Sequence, residues 1–126
     1  MRKIVLGKTP KNFKRQVEVT LPDGEKTKIE ISFIYRTRTE LAKFFSDINA
    51  EIEDSVTGKQ IESMADLTSV ELDADVETLM QIMDGWNLSV DFNEANVRQF
   101  CDELPEASLD IVNNYFLGSR VLRTGN

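Results

Sequence analysis

The sequence predicts an α+β fold, in which an N-terminal antiparallel β-hairpin packs on a mainly α-helical body of about four helices. Two observations predict it: alternating apolar residues on both sides of a Pro-Asp-Gly turn, and three- and four-residue apolar spacing behind helix-start signals in the rest of the chain. A length of 126 residues fits one domain. We therefore expect a single domain over residues 1–126, with a hairpin region (1–36), a helical region (37–122) and a frayed tail (123–126).

Two apolar runs with period-two spacing predict the hairpin. The first is Val17, Val19 and Leu21, and the second is Ile29, Ile31, Phe33 and Tyr35. Between them stands Pro22-Asp23-Gly24, in which Pro presets φ and Gly allows a positive φ. The residues expected on the solvent-facing side are Lys26, Lys28 and Glu30. The basic segment ahead of the hairpin is broken by Gly7 and Pro10, which predicts a short extended or mobile arm.

A capping box opens the first helix, because the hydroxyl of Thr37 and the carboxylate of Glu40 stand three residues apart. An apolar stripe with helical spacing follows, made of Leu41, Phe44, Phe45, Ile48 and Ile52. We place this helix at residues 38–53, with a stop near Gly58. Residues 55–73 lack strong periodicity and are predicted to be mostly loop, with one helical turn at most around Ile61, Met64 and Leu67.

Three further helices are predicted in the second half of the chain. The first begins at Asp73 or Asp75 and stops at Gly85, and a short extended connector follows. Asn93 caps the next helix, and Pro105 suits the first position of the last one. The helix before Gly85 carries Val76, Leu79, Met80 and Met83, and the connector carries Leu88, Val90 and Phe92. The helix after Asn93 carries Val97, Phe100, Cys101 and Leu104, and the last helix carries Leu109, Val112, Tyr115 and Phe116. A later glycine, Gly118, suggests close approach by a neighbouring backbone.

The residue inventory offers no catalytic set. The chain contains no histidine, one cysteine and no glycine-rich phosphate loop. Residues 73–84 imitate the start of a calcium loop, but Thr78 replaces the glycine at its sixth position and Asp84 replaces the glutamate at its twelfth. Helix capping explains these carboxylates better. We therefore expect no enzyme activity, no cofactor and no metal site.

The distribution of charge and the hydropathy of the chain narrow the class of function further. Residues 1–40 hold ten Lys/Arg against five Asp/Glu, a net of +5, and residues 41–126 hold five against seventeen, a net of −12, which together make the −7 of the chain. This polarity suggests head-to-tail self-association or a partner of mixed charge, although a solvated surface also explains it. There is no apolar run long enough for a membrane span, and Ile4-Val5-Leu6 is too short for a signal-peptide core. We expect a cytoplasmic protein that binds neither membrane nor nucleic acid.

Three blocks of sequence resemble the phage tail assembly chaperones of long-tailed phages. The first is 35–40, Tyr-Arg-Thr-Arg-Thr-Glu, at the entry to the first helix. The second runs from Met83-Asp84-Gly85-Trp86-Asn87-Leu88 to the Phe92-Asn93 helix opening and Val97. The third joins Leu104-Pro105 to residues 111–116, which end Asn-Tyr-Phe. The resemblance spans about two thirds of the chain and rests on packing and capping signals, not on reactive groups.

The resemblance implies a non-enzymatic function. Members of this family bind the long, helix-rich tape-measure protein during tail assembly, help to recruit tail-tube subunits and are absent from the mature virion. It therefore implies the tape-measure protein, and possibly the tail-tube protein, as partners in the cytoplasm of the bacterial host, from a phage or a prophage. A helical protein with an accessible apolar groove would cover an apolar helix of that partner, alone or as a homo-oligomer.

Four aromatic residues are the candidate partner contacts: Trp86, Phe92, Tyr115 and Phe116. Trp86 follows a predicted helix stop, and a tryptophan in that position more often closes the local core than anchors a partner. Tyr115 and Phe116 are neighbours, so one should point inward and the other outward. Met80, Met83 and Cys101 lie on helical stripes and are expected in the core.

Two other functions compete with this interpretation. The first is a small regulatory module of the antitoxin or anti-repressor type, which would use the basic hairpin against nucleic acid or another protein. The second is a hydrolase that works with a pair of carboxylates, although the sequence does not indicate which pair.

Overall fold

The computed structural model describes residues 4–57 and 63–116 and contains seven elements there. In chain order they are β1 (Asn12–Thr20), β2 (Lys26–Ile34), α1 (Arg38–Thr57), α2 (Met64–Ile82), β3 (Met83–Trp86), α3 (Glu94–Glu103) and α4 (Pro105–Phe116). An N-terminal hairpin followed by a mainly helical body confirms the predicted α+β class.

The hairpin forms where the alternation predicts it. β1 and β2 pair antiparallel from Asn12 opposite Ile34 to Thr20 opposite Lys26. At the turn the Gly24 amide donates to the Leu21 carbonyl at 2.9 Å, and Gly24 has a φ of +90°. A β-turn followed by a residue with positive φ is the usual form of a three-residue hairpin loop, so glycine is required at this position.

A third strand, which the periodicity did not predict, extends the sheet in the order β1-β2-β3. In β3, Trp86 pairs with Ile31 and Gly85 with Ser32, while Asp84 is the extra residue of a β-bulge. The prediction of Gly85 as a helix stop is wrong, because α2 already ends at Ile82 and only Gly7 and Gly24 have positive φ among the described residues. Residues 87–93, the predicted extended connector, contain no regular element.

Capping explains where α1 begins. The Thr37 amide donates to the Glu40 carboxylate at 2.8 Å, and the Glu40 amide donates to Thr37 Oγ1 at 3.3 Å. The predicted capping box is thus confirmed. The helix extends to Thr57, four residues beyond its predicted end.

The start of α2 corrects a second prediction. Residues 64–73 are helical rather than loop, and the cap is Ser63, whose Oγ accepts from the Asp66 amide at 3.2 Å. Asp73 and Asp75 therefore lie inside the helix and cap nothing. This first half of α2 buries only Val70 completely, so it carried too little apolar periodicity to be recognised.

The two C-terminal helices begin where predicted. Asn93 Oδ1 accepts from the Asn96 amide at 2.9 Å and caps α3. Pro105 is the first residue of α4. The short turn at Leu104 sets the two helices at an angle, and α4 lies against β1 while α3 packs on α2.

The core lies between the helices and one face of the sheet. Its central residues come from all seven elements and include Val17, Ile31, Phe33, Leu41, Leu79, Met83, Val97, Cys101, Ile111 and Tyr115. Met83 and Cys101 are buried as predicted, and Met80 packs partly buried against them. The predicted turn at Ile61, the role of Gly118 and the frayed tail at 123–126 fall outside the described residues, so the single-domain boundaries stay a prediction.

Candidate partner-binding surfaces

The described residues hold no group of three or more His, Cys, Asp or Glu side chains placed to bind a metal ion. Burial raises the pKa of the Cys101 thiol to about 12, with the Asp75 charge acting in the same direction. At neutral pH this thiol therefore carries almost no thiolate, which is the nucleophilic form. In this part of the chain no helix has the length and the apolar character to cross a membrane.

Tyr115 is the inward member of the predicted Tyr-Phe pair. Its side chain is 1% exposed and its ring packs against Phe33 with centroids 5.3 Å apart. The hydroxyl donates to the carbonyl of Ile34 at 2.8 Å and accepts from Arg36 Nη1 at 3.0 Å. Burial raises the pKa of this phenol, against the opposing effect of the Arg36 bond. Tyr115 thus anchors α4 to the end of β2, and it presents no surface to a partner in this conformation.

Phe116 is the outward member and meets the first helix. Its ring lies edge-on to Phe45, with centroids 4.8 Å apart, and nearly parallel to Phe44 at 6.1 Å. The guanidinium of Arg36 covers Phe44, 3.7 Å from the ring centroid. Phe45 remains 48% exposed. Aromatic side chains from α1 and α4 therefore meet at the surface.

Two aliphatic residues extend this aromatic group along α4. Leu109 and Val112 precede Phe116 at spacings of seven and four residues, so the three lie on one side of the helix. Leu109 is 59% exposed, and Val112 and Phe116 are partly buried. We call the set Phe44, Phe45, Leu109, Val112 and Phe116 the α1–α4 surface. It is an apolar strip along α4 that meets two rings of α1 at Phe116.

A second aromatic group surrounds the tryptophan. The ring of Trp86 contacts Phe92 edge-on at 5.3 Å and Phe100 at 5.7 Å. Its indole N–H donates to the carbonyl of Val90 at 2.8 Å and so holds residues 87–93 against the sheet. Val90 itself is 50% exposed. We call Trp86, Val90 and Phe92 the Trp86 cluster; Trp86 both closes the core and reaches the surface.

The structure separates the four predicted contact residues into these two groups. Trp86 and Phe92 touch each other, and Tyr115 and Phe116 touch each other, with no ring contact between the pairs among the described residues. The sequence interpretation placed Phe45 and Leu109 on buried stripes and so missed their exposure. The sequence carries no clear signal for this exposure, because two adjacent helix positions can both face the core, as Phe100 and Cys101 do in α3.

The open face of the sheet has mixed charge. The residues of β1 and β2 that point away from the core include Lys14, Glu18, Lys28 and Glu30. Glu18 lies directly opposite Lys28 in the hairpin. Opposite charges at facing positions stabilise a sheet. They also interrupt the continuous basic surface that phosphate binding would need.

Comparison with known proteins gives one positive finding. The model of the phage tail assembly chaperone family matches residues 1–126. No match was found among curated proteins or among solved structures. The matched range includes every strand and helix described above.

Proposed function

This chain belongs to the phage tail assembly chaperone family, and from that premise we propose that it binds the tape-measure protein and assists tail-tube assembly without catalysing a reaction. The site of action is the cytoplasm of the bacterial host, and the protein does not remain in the mature virion. The proposed mechanism is reversible burial of an apolar helix of the tape-measure protein until tube subunits surround it.

The α1–α4 surface is the observation that supports this proposal most strongly. Phe45 and Leu109 are large apolar residues on two different helices, and each is about half exposed. Fully burying a large apolar side chain is worth about 1.5–3 kcal/mol, so covering the exposed halves of both residues contributes about that much in total to a reversible complex. A helical partner with apolar residues at three- and four-residue steps matches an apolar strip that lies along α4.

The predicted contacts take different parts in this mechanism. Phe116 is a direct contact on the α1–α4 surface, and Tyr115 positions it by holding α4 against β2. Trp86 and Phe92 belong to the second surface, where Val90 is the most exposed apolar residue. We assign them a secondary contact, because the Trp86 ring already packs on Phe100 and has less area left to bury.

Co-expression with the tape-measure protein encoded in the same genome tests the proposal. The wild-type chain should yield a soluble complex that elutes as one species in size-exclusion chromatography. Exchanging Phe45 and Leu109 together for serine should abolish the complex while leaving the circular dichroism spectrum unchanged, since neither residue is buried. Met64→Ser is the control, because Met64 is a still more exposed apolar residue on another helix, α2.

The outcomes separate the function from the surface. A tape-measure protein that stays insoluble beside the wild-type chain would overturn the chaperone role. If the complex survives in the Phe45→Ser, Leu109→Ser variant but is lost in Val90→Ser, the role stands and the Trp86 cluster is the binding surface.

A further inference from the structure

β1 is an outer strand of the sheet, and its hydrogen-bonding phase is fixed at both ends. The Leu21 amide donates to Glu25 at 2.8 Å, and the Tyr35 amide donates to Lys11 at 3.0 Å. Odd-numbered residues therefore turn their backbone groups toward β2. The residues that turn N–H and C=O to the outer edge are Asn12, Lys14, Gln16, Glu18 and Thr20.

Helix α4 lies against β1 and bonds this edge at one end. The Thr20 amide donates to Asp110 Oδ2 of α4 at 2.8 Å. The outward amides of Lys14, Gln16 and Glu18 make no hydrogen bond to any part of the chain that the structure describes, and their side chains are exposed. A strand edge of this kind is a template for pairing with another strand.

We propose that β1 pairs antiparallel with β1 of a second copy, about a two-fold axis at Gln16. In this register Lys14 faces Glu18 of the second copy, and the reciprocal pair forms on the other side of the axis. About six backbone hydrogen bonds would join the two edges into one continuous sheet. Placing the axis at Lys14 or at Glu18 instead brings like charges face to face, which is unfavourable. Among two-fold axes through Lys14, Gln16 or Glu18, the charge pattern of β1 therefore favours the one at Gln16.

A strand-edge interface buries little surface, so the dimer is weak and forms at high concentration. Sedimentation velocity of the chain alone, from about 10 µM to about 1 mM, should show a reversible monomer–dimer equilibrium. The tape-measure protein is not needed, so the result is independent of the proposed function. A wild-type chain that remains monomeric over the whole range overturns the proposal.

Gln16→Lys is the decisive variant. Within one chain residue 16 lies opposite Glu30, so the new lysine gains an opposite charge and the hairpin is not weakened. On the two-fold axis the same substitution sets two lysines face to face. We expect the dimer to dissociate at least about ten-fold more readily, with an unchanged melting temperature of the monomer. A dimer that persists unaltered in Gln16→Lys overturns the proposal.

A charge exchange tests the register. In Lys14→Glu alone, the new carboxylate faces Ser32 in its own chain and Glu18 of the second copy across the axis, so the substitution should weaken the dimer. Adding Glu18→Lys together with Lys28→Glu should restore it, because the pair across the axis is then reversed while residues 18 and 28 of the hairpin keep opposite charges. Failure of this triple variant to recover association, while its circular dichroism spectrum remains native, rules out this register.

Amide hydrogen exchange gives a direct readout of the edge. The amides of Lys14, Gln16 and Glu18 should become protected as the concentration rises through the dimerisation range. The Thr20 amide is the internal control, since its bond to Asp110 already protects it in the monomer. Protection of Thr20 without any concentration-dependent protection of the other three would contradict edge pairing.

Discussion

At the scale of single residues, Arg36 and Tyr115 connect three elements that are distant in sequence. Arg36 follows β2, covers a ring of α1 and donates to the hydroxyl of Tyr115 on α4. Lysine would keep the charge at position 36 but would lose the planar stacking on Phe44. Arg36 therefore links the first turns of α1 to the end of α4, beside Phe116.

Tyr115→Phe should lower the free energy of unfolding by about 1 kcal/mol, because the Ile34 carbonyl and the Arg36 guanidinium each lose a hydrogen-bond partner. Urea denaturation followed by circular dichroism measures this loss. Tyr35→Phe is the control, since the Tyr35 hydroxyl makes no hydrogen bond among the described residues, and its effect should stay below about 0.5 kcal/mol. Equal losses in both variants would contradict the anchoring role.

The pH dependence of the same phenol has a definite sign. The pKa of Tyr115 is raised in the folded state, so the native protein holds this proton more tightly than the unfolded chain. Its stabilising contribution is complete below the unfolded pKa, near 10, and is lost as the pH rises through the higher folded pKa. Tyr115→Phe should flatten the alkaline loss of stability, and an unchanged slope would refute the shift.

The thiol of Cys101 should be unreactive in the native state. Its pKa of about 12 leaves the thiolate roughly a thousand-fold less populated at pH 8 than at the ordinary value, and burial adds a steric barrier. A chromogenic disulfide reagent should label it only at the rate of unfolding, and at once in urea. Rapid labelling of the native protein would show that α3 opens locally.

At the scale of elements, two glycines make a matched test of backbone conformation. Gly24→Ala should cost about 1–2 kcal/mol, because alanine is strained at a φ of +90°. Gly85→Ala should change stability by less than about 0.5 kcal/mol, since Gly85 lacks positive φ and a new Cβ would meet only Ser32 Cβ, at an ordinary 3.6 Å. Thermal unfolding of both variants measures the difference, and the reverse order would contradict the turn geometry.

Where α1 contacts α2, the carboxylates of Glu51 and Glu77 repel each other when both are charged. The pKa of Glu51 is raised by its hydrogen bond to Glu77 and then by the Glu77 charge. The stabilising bond is present below the unfolded pKa, near 4.5, and is lost as the pH rises through the higher folded pKa. Glu51→Gln should therefore raise the melting temperature at pH 7 and have no such effect near pH 4. Glu25→Gln, in the exposed hairpin loop, should do neither.

Local chemistry explains which elements the sequence predicted. Glu40, Asn93 and Gly24 each act through hydrogen bonds or dihedral angles within four residues, so their patterns are readable without the fold. β3 could not be found this way, because four residues become a strand only through pairing with β2, more than fifty positions earlier. The first half of α2 was missed for a related reason: its cap, Ser63, is local, but its faces are mostly exposed.

At the scale of the whole molecule, the candidate site was predictable only in part. Phe116 is a candidate contact because the Tyr-Phe pair is expected to divide between core and surface, yet the sequence does not say which ring turns inward. The exposure of Phe45 depends on how α1 sits against α4, and residues 45 and 116 are brought together only by the complete fold. Sequence patterns therefore predict which kinds of residue make contacts more readily than they predict the surface that those residues form together.

The β1 edge and the α1–α4 surface should act independently, because no residue belongs to both. Gln16→Lys should leave the co-purification with the tape-measure protein intact, and the Phe45→Ser, Leu109→Ser variant should leave the sedimentation of the chain alone unchanged. Measuring both properties in both variants checks this. Loss of partner binding in Gln16→Lys would mean that the dimer, and not the monomer, is the binding unit.

The indole of Trp86 has one more consequence for work in solution. It is the only tryptophan of the chain, and it lies where β3 meets α3 and the segment at 87–93. Its fluorescence therefore reports on this junction. The emission maximum should move to longer wavelength when water reaches the indole. The intrinsic fluorescence of Trp86 can therefore follow the opening of the protein in real time without an added label.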